Sequence, residues 1–301
     1  GSLQMMLDRG KELDWFHSTE IIILAVAAAT GIILLVAWEI TNEKPLVDFR
    51  LFSSRNFSVG VTCISLGMMI YLGTVVLLPL LLQTRFGYTA TLAGLVSSPV
   101  GIIPVFFAPL IGKNAHKADL RVLITISFVV FAFCMYLRTG FSPDVDMRFV
   151  LLPQFIQDIA LSLFFVPLTA LTFADLKAEQ MAGASGLFNC IRTLFGAVGA
   201  SVATTLWERR EALHHARLTE HINPYNPLAS DAFERLARIG MDPEQSAAFL
   251  AREITNQGFI LAAAEIYQLC ALAFLVMISF VWLARPARKQ PSGQQAVVAG
   301  E

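Results

Sequence analysis

The chain has 301 residues, of which 55% are hydrophobic and only 15% charged, and its formal net charge is −1. Charge is confined to short stretches between long apolar runs, whereas a soluble protein of this length spreads it over every surface helix; the composition excludes an ordinary soluble domain. The near-neutral balance, with no basic stripe interleaved with aromatics, also excludes nucleic acid as a partner.

Residues 1–20 predict the end of a helix and a polar outer loop, without the apolar core of a cleavable signal peptide. Ile21–Ile40 predicts the first transmembrane span, long enough for a hydrocarbon core of about 30 Å. A cytoplasmic linker at 41–56 leads to a second span at 57–83, broken late by Pro79. The third, 92–112, carries Pro99, Gly101, Pro104 and Pro109, read as kinks and close helix packing in which neighbours satisfy the freed carbonyls. Further spans are expected at 120–139, 149–173, 182–207 and 258–284, making seven. Trp38, Trp207 and Trp282 at span ends are expected to be interface anchors. Between the last two spans, 208–257 is polar. There Ser230 is expected to cap a helix ended by Gly240, and Asp242-Pro243 to start another through Arg252, giving a small helical cap. The tail 285–301 is basic and then low in complexity.

Lys and Arg in the short loops set the orientation. Ten of them (Lys44, Arg50, Arg55, Lys113, Lys117, Arg121, Lys177, Arg285, Arg288 and Lys289) lie on one side, against four (Arg9, Lys11, Arg85 and Arg148) on the other. The C-terminus is therefore expected in the cytoplasm, with the N-terminus and 208–257 outside.

Several chemistries have no residues to carry them. Cys63, Cys134, Cys190 and Cys270 sit in apolar runs without CxxC spacing and read as small core residues. All five histidines lie outside the spans, which leaves an intramembrane metalloprotease or a Ser–His hydrolase without its parts, and His214-His215 reads as a polar surface pair. No phosphate loop of the GxxxxGK[ST] type occurs, so energy for any transport must come from elsewhere, such as an ion gradient. No cofactor or metal is expected.

What remains is a sparse set of polar residues inside spans. Arg192 lies roughly 15 Å along the 182–207 run, where a lipid-facing arginine would cost about 2.5–3.5 kcal/mol. Ser185, Asn189, Arg192, Gly196, Gly199 and Ala203 recur on one helical face as a small, polar stripe, with Leu187, Ile191, Leu194, Val198 and Val202 on the opposite, lipid side. Asp158 lies at comparable depth in the preceding span, so an Asp158–Arg192 ion pair is expected, with Gln154 on the Asp158 face and Gln157 beside it. Glu265 sits near the outer end of the last span. Arg192, Asn189, Asp158, Gln154, Gln157 and Glu265 are the candidates for a substrate or coupling pathway, and a purely structural role stands beside that reading for Arg192 and Asp158.

Seven stretches carry a resemblance: LQMMLDRGKELDWF, DFRLFSSRNF, GYTATLAGLVSSPVGIIPV, PQFIQ, NCIRTLFGAVGAS, HHARLTEHINPYNP and ITNQGFILAAAEIY. Over essentially the whole chain the sequence resembles the C-terminal half of the fourteen-span, proton-coupled drug antiporters of the major facilitator superfamily. The resemblance implies an all-α integral membrane fold. A six-helix C-terminal bundle at 57–284 would be preceded by one inserted transmembrane helix at 21–40, with residues 1–10 ending another. Gly1-Ser2 would then be natural sequence. The resemblance implies no enzyme but a half-transporter in a bacterial inner membrane, exporting amphipathic or hydrophobic drugs by alternating access and driven by the proton gradient. GKNAHKADLR stands where the superfamily keeps a basic cytoplasmic loop motif, in degenerate form. The implied partners are a missing N-terminal half, a periplasmic adaptor that the 208–257 cap would meet, and an outer-membrane channel. A self-contained seven-span receptor and a membrane scaffold are the alternatives; a retinal protein would need a lysine in 258–284, and none is there.

Overall fold

The computed structural model describes residues 2–10, 13, 15–41, 49–115, 118–143, 145–223 and 225–286. Among these the chain is helical without strands: α1 Ser2–Arg9, α2 Thr19–Thr41, α3 Arg55–Thr84, α4 Ala90–Ser97, α5 Pro99–Ala115, α6 Leu120–Arg138, α7 Met147–Phe173, α8 Met181–Glu220, α9 Pro227–Arg238 and α10 Pro243–Val281. Among the described residues five helices (α3, α6, α7, α8 and α10) are long and apolar enough to cross a membrane, and α2 and α5 contain the shorter apolar stretches Thr19–Leu34 and Ile103–Lys113. Residues 287–301 of the tail and 42–48 of the linker at 41–56 lie outside the described residues.

Two helix boundaries depart from the sequence reading for local reasons. The stretch 92–112 is not one helix but two, broken at Ser98. Pro99 has no N–H for the Leu95 carbonyl four residues back. The Ser98 hydroxyl donates to that carbonyl instead, at 2.8 Å. Further along, 208–257 is no separate cap. α8 runs 40 residues and α10 39, each about 60 Å, so both continue straight out of the apolar bundle and carry α9 between them. Asn226, not Ser230, caps α9 by accepting from Leu228 N at 3.1 Å, with Pro227 in the first turn. Gly240, at φ +89°, ends α9 as expected, its N–H donating to the Ala237 carbonyl at 3.0 Å in a conformation glycine adopts without strain. Asp242 then caps α10 by accepting from Gln245 N at 2.7 Å, and the helix does not stop at Arg252.

The core lies between α3, α6, α7, α8 and α10. Its centre is aromatic: Phe131 stacks on Phe274 at 4.9 Å and meets Phe164 edge-on at 6.0 Å. A smaller core of Leu78, Leu82, Ala93, Val96, Phe141 and Val150 seats α4 against α3 and α7. α3 and α8 touch backbone to backbone. A Cβ at Gly199 would overlap the Met69 carbonyl, and one at Gly73 would lie 2.9 Å from the Gly199 oxygen. At the end opposite α9, the turn that follows α10 is pinned by side chains at the starts of two other helices. Arg55 donates to the Leu283 carbonyl and Arg121 to that of Ala284 at 3.3 Å, while Asn56 accepts from Arg285 N at 2.7 Å. The two arginines satisfy carbonyls of the turn that follows α10, and Asn56 satisfies an N–H there. α1 lies on α8, with Ser201 donating to the Leu7 carbonyl at 3.1 Å, and an Arg9–Glu20 ion pair ties it to α2.

Candidate functional site

Four helices converge on a buried polar cluster. Arg138, the last residue of α6, is 1% exposed and donates Nη2 to Gln154 Oε1 of α7 at 2.8 Å. One turn on, Asp158 is 0% exposed, and neither of its carboxylate oxygens is hydrogen-bonded; its electrostatic neighbours are Arg138 and Gln154. Gln157 is equally buried, with both amide atoms unpaired. Tyr71 of α3 feels both Asp158 and Arg138, and Tyr267 of α10 presents its ring to Arg138 at 5.8 Å, the two hydroxyls buried without partners. Buried polar groups are normally paired, and a carboxyl among them is costly to keep charged unless a cation faces it. Arg138 is the cation whose charge Asp158 feels, although no ion pair joins the two side chains among the described residues.

The cluster backs onto an apolar cleft of about 170 Å³ between α3, α8 and α10. Ile70 and Thr74 line it on either side of Tyr71, and Cys270, one turn past Tyr267, lines its α10 wall. A membrane helix bundle that buries a charged, hydrogen-bonding group beside an apolar cleft has the parts to recognise small amphipathic molecules or to move a proton.

The other candidates fall elsewhere. Arg192 does not meet Asp158. Its guanidinium lies over the Phe165 ring of α7 at 5.6 Å, and the side chain is half-buried. Phe165 is seven residues past Asp158, about 10 Å along the helix. The expected pair fails because the two depths were counted from opposite ends. Residues about 15 Å in from opposite ends of a helix about 40 Å long miss each other by that distance. Asn189 is exposed and donates to the Ser185 carbonyl at 3.0 Å. The stripe on α8 thus divides: Gly196, Gly199 and Ala203 are buried against α3, while Asn189 and Arg192 stay more open. Leu187 and Ile191 pack on the main core instead of facing lipid. Trp207 is buried too, donating Nε1 to the Phe259 carbonyl at 2.8 Å, and is no interface anchor. Glu265 faces Arg210 and His214 of α8. In α5, Pro104 is half-buried and Pro109 exposed. Pro99 and Gly101 lie in helical backbone, and their surroundings fall outside the described residues.

Arg138 is the member sequence reasoning missed. One residue inside the end of a span, it looks like an arginine reaching for the membrane surface. The signal that could have found it is its partner: Gln154 and Asp158 form an i,i+4 polar face on the next helix, and a short loop sets α6 and α7 side by side.

An all-α bundle in which five of the described helices are long and apolar enough to cross a membrane has the architecture of a multi-pass membrane protein. Residues 13–200 match the Major Facilitator Superfamily, and the chain belongs to that family. It is 52% identical over 287 residues to the multidrug export protein EmrB of Escherichia coli K12, an alignment covering 95% of this chain and 56% of that protein. It is 49% identical over 286 residues to the fatty acid resistance protein FarB of Neisseria gonorrhoeae, with the same 95% and 56% coverage. Over 287 residues it is 42% identical to the probable multidrug resistance protein EmrY of Escherichia coli K12, again at 95% and 56%. The chain therefore spans about half the length of the curated relatives it matches, a share that fits the C-terminal half expected from the sequence. It is an all-α, integral membrane protein of the major-facilitator type.

Proposed function

We propose that this chain is the C-terminal half of a proton-coupled antiporter that exports hydrophobic and amphipathic drugs by alternating access. The observation that carries the coupling half of this reading is the Arg138–Gln154–Asp158 cluster, held beside the cleft. The two states of Asp158 ask different things of the site. As a carboxylate it is the counter-charge of Arg138; as a neutral acid it leaves Arg138 to Gln154 and to any polar group that a bound molecule offers. A site that exchanges a proton for a substrate contact is what antiport requires. The kinship with EmrB and FarB, whose names tell of drug export and fatty acid resistance, supports the export direction and apolar substrates. The missing half would cover the open part of the α8 stripe, where Asn189 and Arg192 need protein or water at membrane depth.

The orientation follows the ten-to-four lysine and arginine bias, with α9 outside an inner membrane and the tail in the cytoplasm. The α8–α9–α10 arm, standing clear of the apolar bundle, is then the surface for a periplasmic adaptor that leads on to an outer-membrane channel. Receptor and scaffold readings have no support in a family of transporters.

The test is Asp158→Asn in the native-length protein, assayed in proteoliposomes. Loss of proton-driven drug efflux with drug binding retained is the expected result. Undiminished efflux refutes the coupling role.

A further inference from the structure

At the end of the bundle opposite α9, arginines converge on the turn that follows α10. Arg55, in the first turn of α3, and Arg121, in the first turn of α6, donate to the consecutive carbonyls of Leu283 and Ala284. The next residue, Arg285, is held through its N–H by Asn56, whose own Nδ2 is buried without an acceptor. Asp119 answers one of these cations, pairing with Arg121 at 2.8 Å. Arg55 and Arg285 are exposed, and neither has an ion pair among the described residues. In the sequence, Glu43 and Asp48 of the adjoining linker are matched by Lys44 and Arg50, and the tail adds Arg288 and Lys289. The balance at this end is cationic.

Next to the arginines the surface turns apolar. Trp282 and Leu283 are both exposed, and the Arg121 guanidinium lies 5.1 Å from the Trp282 ring centre. From the residue after Arg121, Val122, Ile126, Val129 and Phe133 are all exposed and recur at helical spacing, so they form one stripe along α6. The stripe rises roughly 16 Å, the depth of one leaflet of a hydrocarbon core about 30 Å thick. We propose that this end of the bundle binds a phospholipid with a net negative headgroup. Its phosphate lies against Arg55 and Arg285, Trp282 stands at the level of the ester groups, and one acyl chain follows the α6 stripe.

Headgroup charge decides the class of lipid. A zwitterionic lipid also carries a phosphate, but its ammonium needs an anion, and Asp119 is already bonded to Arg121. A net anion meets two unmatched guanidiniums, whose forked N–H groups fit phosphate oxygens. Each such cation near a membrane surface is worth about fivefold in affinity. The apolar stripe separates a lipid from a free anion, which would gain nothing from Val122 or Phe133. The lysine and arginine bias sets this end in the cytoplasm, on the leaflet where anionic lipids concentrate. Because Arg55 and Arg121 also hold the end of α10 on α3 and α6, a bound phosphate screens their repulsion and steadies that contact. The site needs only that these helices cross a bilayer, and is independent of the coupling role given to Asp158.

Native mass spectrometry of the native-length protein tests it, titrated with phosphatidylglycerol or with phosphatidylcholine of the same chains and read on the tightest-bound lipid. Phosphatidylglycerol should bind at least about fivefold more tightly than phosphatidylcholine. Arg285 gives only its backbone N–H to the turn, so its side chain can be changed without touching the fold. Arg285→Gln should lower phosphatidylglycerol affinity about fivefold and leave phosphatidylcholine unchanged, and Arg55→Gln should do the same. Lys177→Gln, at an exposed cation between α7 and α8, should leave both unchanged. Equal affinity for the two lipids in the wild type overturns the proposal, as does undiminished phosphatidylglycerol binding in Arg285→Gln. An equal loss in Lys177→Gln would reduce the effect to a diffuse surface potential and overturns the site. Inorganic phosphate binding as tightly as phosphatidylglycerol overturns the lipid assignment.

Discussion

Two arginines at membrane depth have opposite fates in this bundle, and the contrast separates what periodicity can tell from what packing decides. Arg192 sits mid-run on α8, at the centre of a polar stripe, yet it ends half-buried over an aromatic ring. Arg138 sits at a helix end and looks like a surface residue, yet it is almost fully buried, bonded to Gln154 and facing Asp158. A stripe on one helix shows which side is polar. Which arginine is enclosed depends on the register between helices, and that is fixed by large and small residues elsewhere. Gly199 against Met69 sets α8 on α3, and Gly67 against Phe164 sets α7 on α3.

The sharpest way to break the contrast is to remove the enclosed cation. Arg138→Met should leave the buried Gln154 carbonyl oxygen unpaired and remove the positive charge that Asp158 feels, at a cost of about 1–3 kcal/mol, the scale for orphaning a buried hydrogen-bonding group. Adding Asp158→Asn in the same chain should recover part of that loss. Thermal unfolding in detergent measures both, and purely additive losses would mean that the two side chains do not share a site. An effect no larger is expected from the buried part of the α8 stripe. Gly199→Leu must push α8 off the Met69 backbone, an overpacking cost of about 1–3 kcal/mol seen as reduced thermal stability. Unchanged stability there would show that the close α3–α8 approach is not under constraint.

The smallest effect belongs to Asp119, which caps α6 and receives Arg121 at 2.8 Å. The hydrogen bond from Arg121 holds its carboxyl below the usual carboxylate range. A depressed folded value means that the contribution is full above the ordinary carboxylate range and disappears as pH falls through the depressed one. Solvent screening at this exposed pair limits it to about 0.5 kcal/mol. Stability against pH should therefore lose a shallow acid-side slope in Asp119→Asn, and an identical slope in both proteins would assign it to other carboxylates.

Much of the architecture was legible because its signals are local. Long apolar runs announce helices, and Asp242-Pro243 and Gly240 mark a start and a stop through backbone chemistry within a few residues. The break at Ser98 was less legible. Four helix breakers in one run look alike in sequence, and only the hydroxyl reaching Leu95 shows which of them ends a helix. The continuity of α8 and α10 past the apolar core was hidden for a different reason. Polar helices and polar loops have similar composition, and it takes the Trp207–Phe259 contact and the charges along both helices to keep them in step. Gln154, Gln157 and Asp158 could be picked out as polar residues in an apolar run, but Arg138 lies on another helix, and only the short loop joining α6 to α7 hints that it meets Gln154.

The central claim is that Asp158, faced by Arg138, and not Arg192, carries the proton coupling. The most direct measurement is drug-dependent proton release from the purified native-length protein, compared between Asp158→Asn and Arg192→Ala. The account predicts that drug binding releases protons from the wild type and from Arg192→Ala, and none from Asp158→Asn. Proton release that survives in Asp158→Asn and vanishes in Arg192→Ala would contradict it.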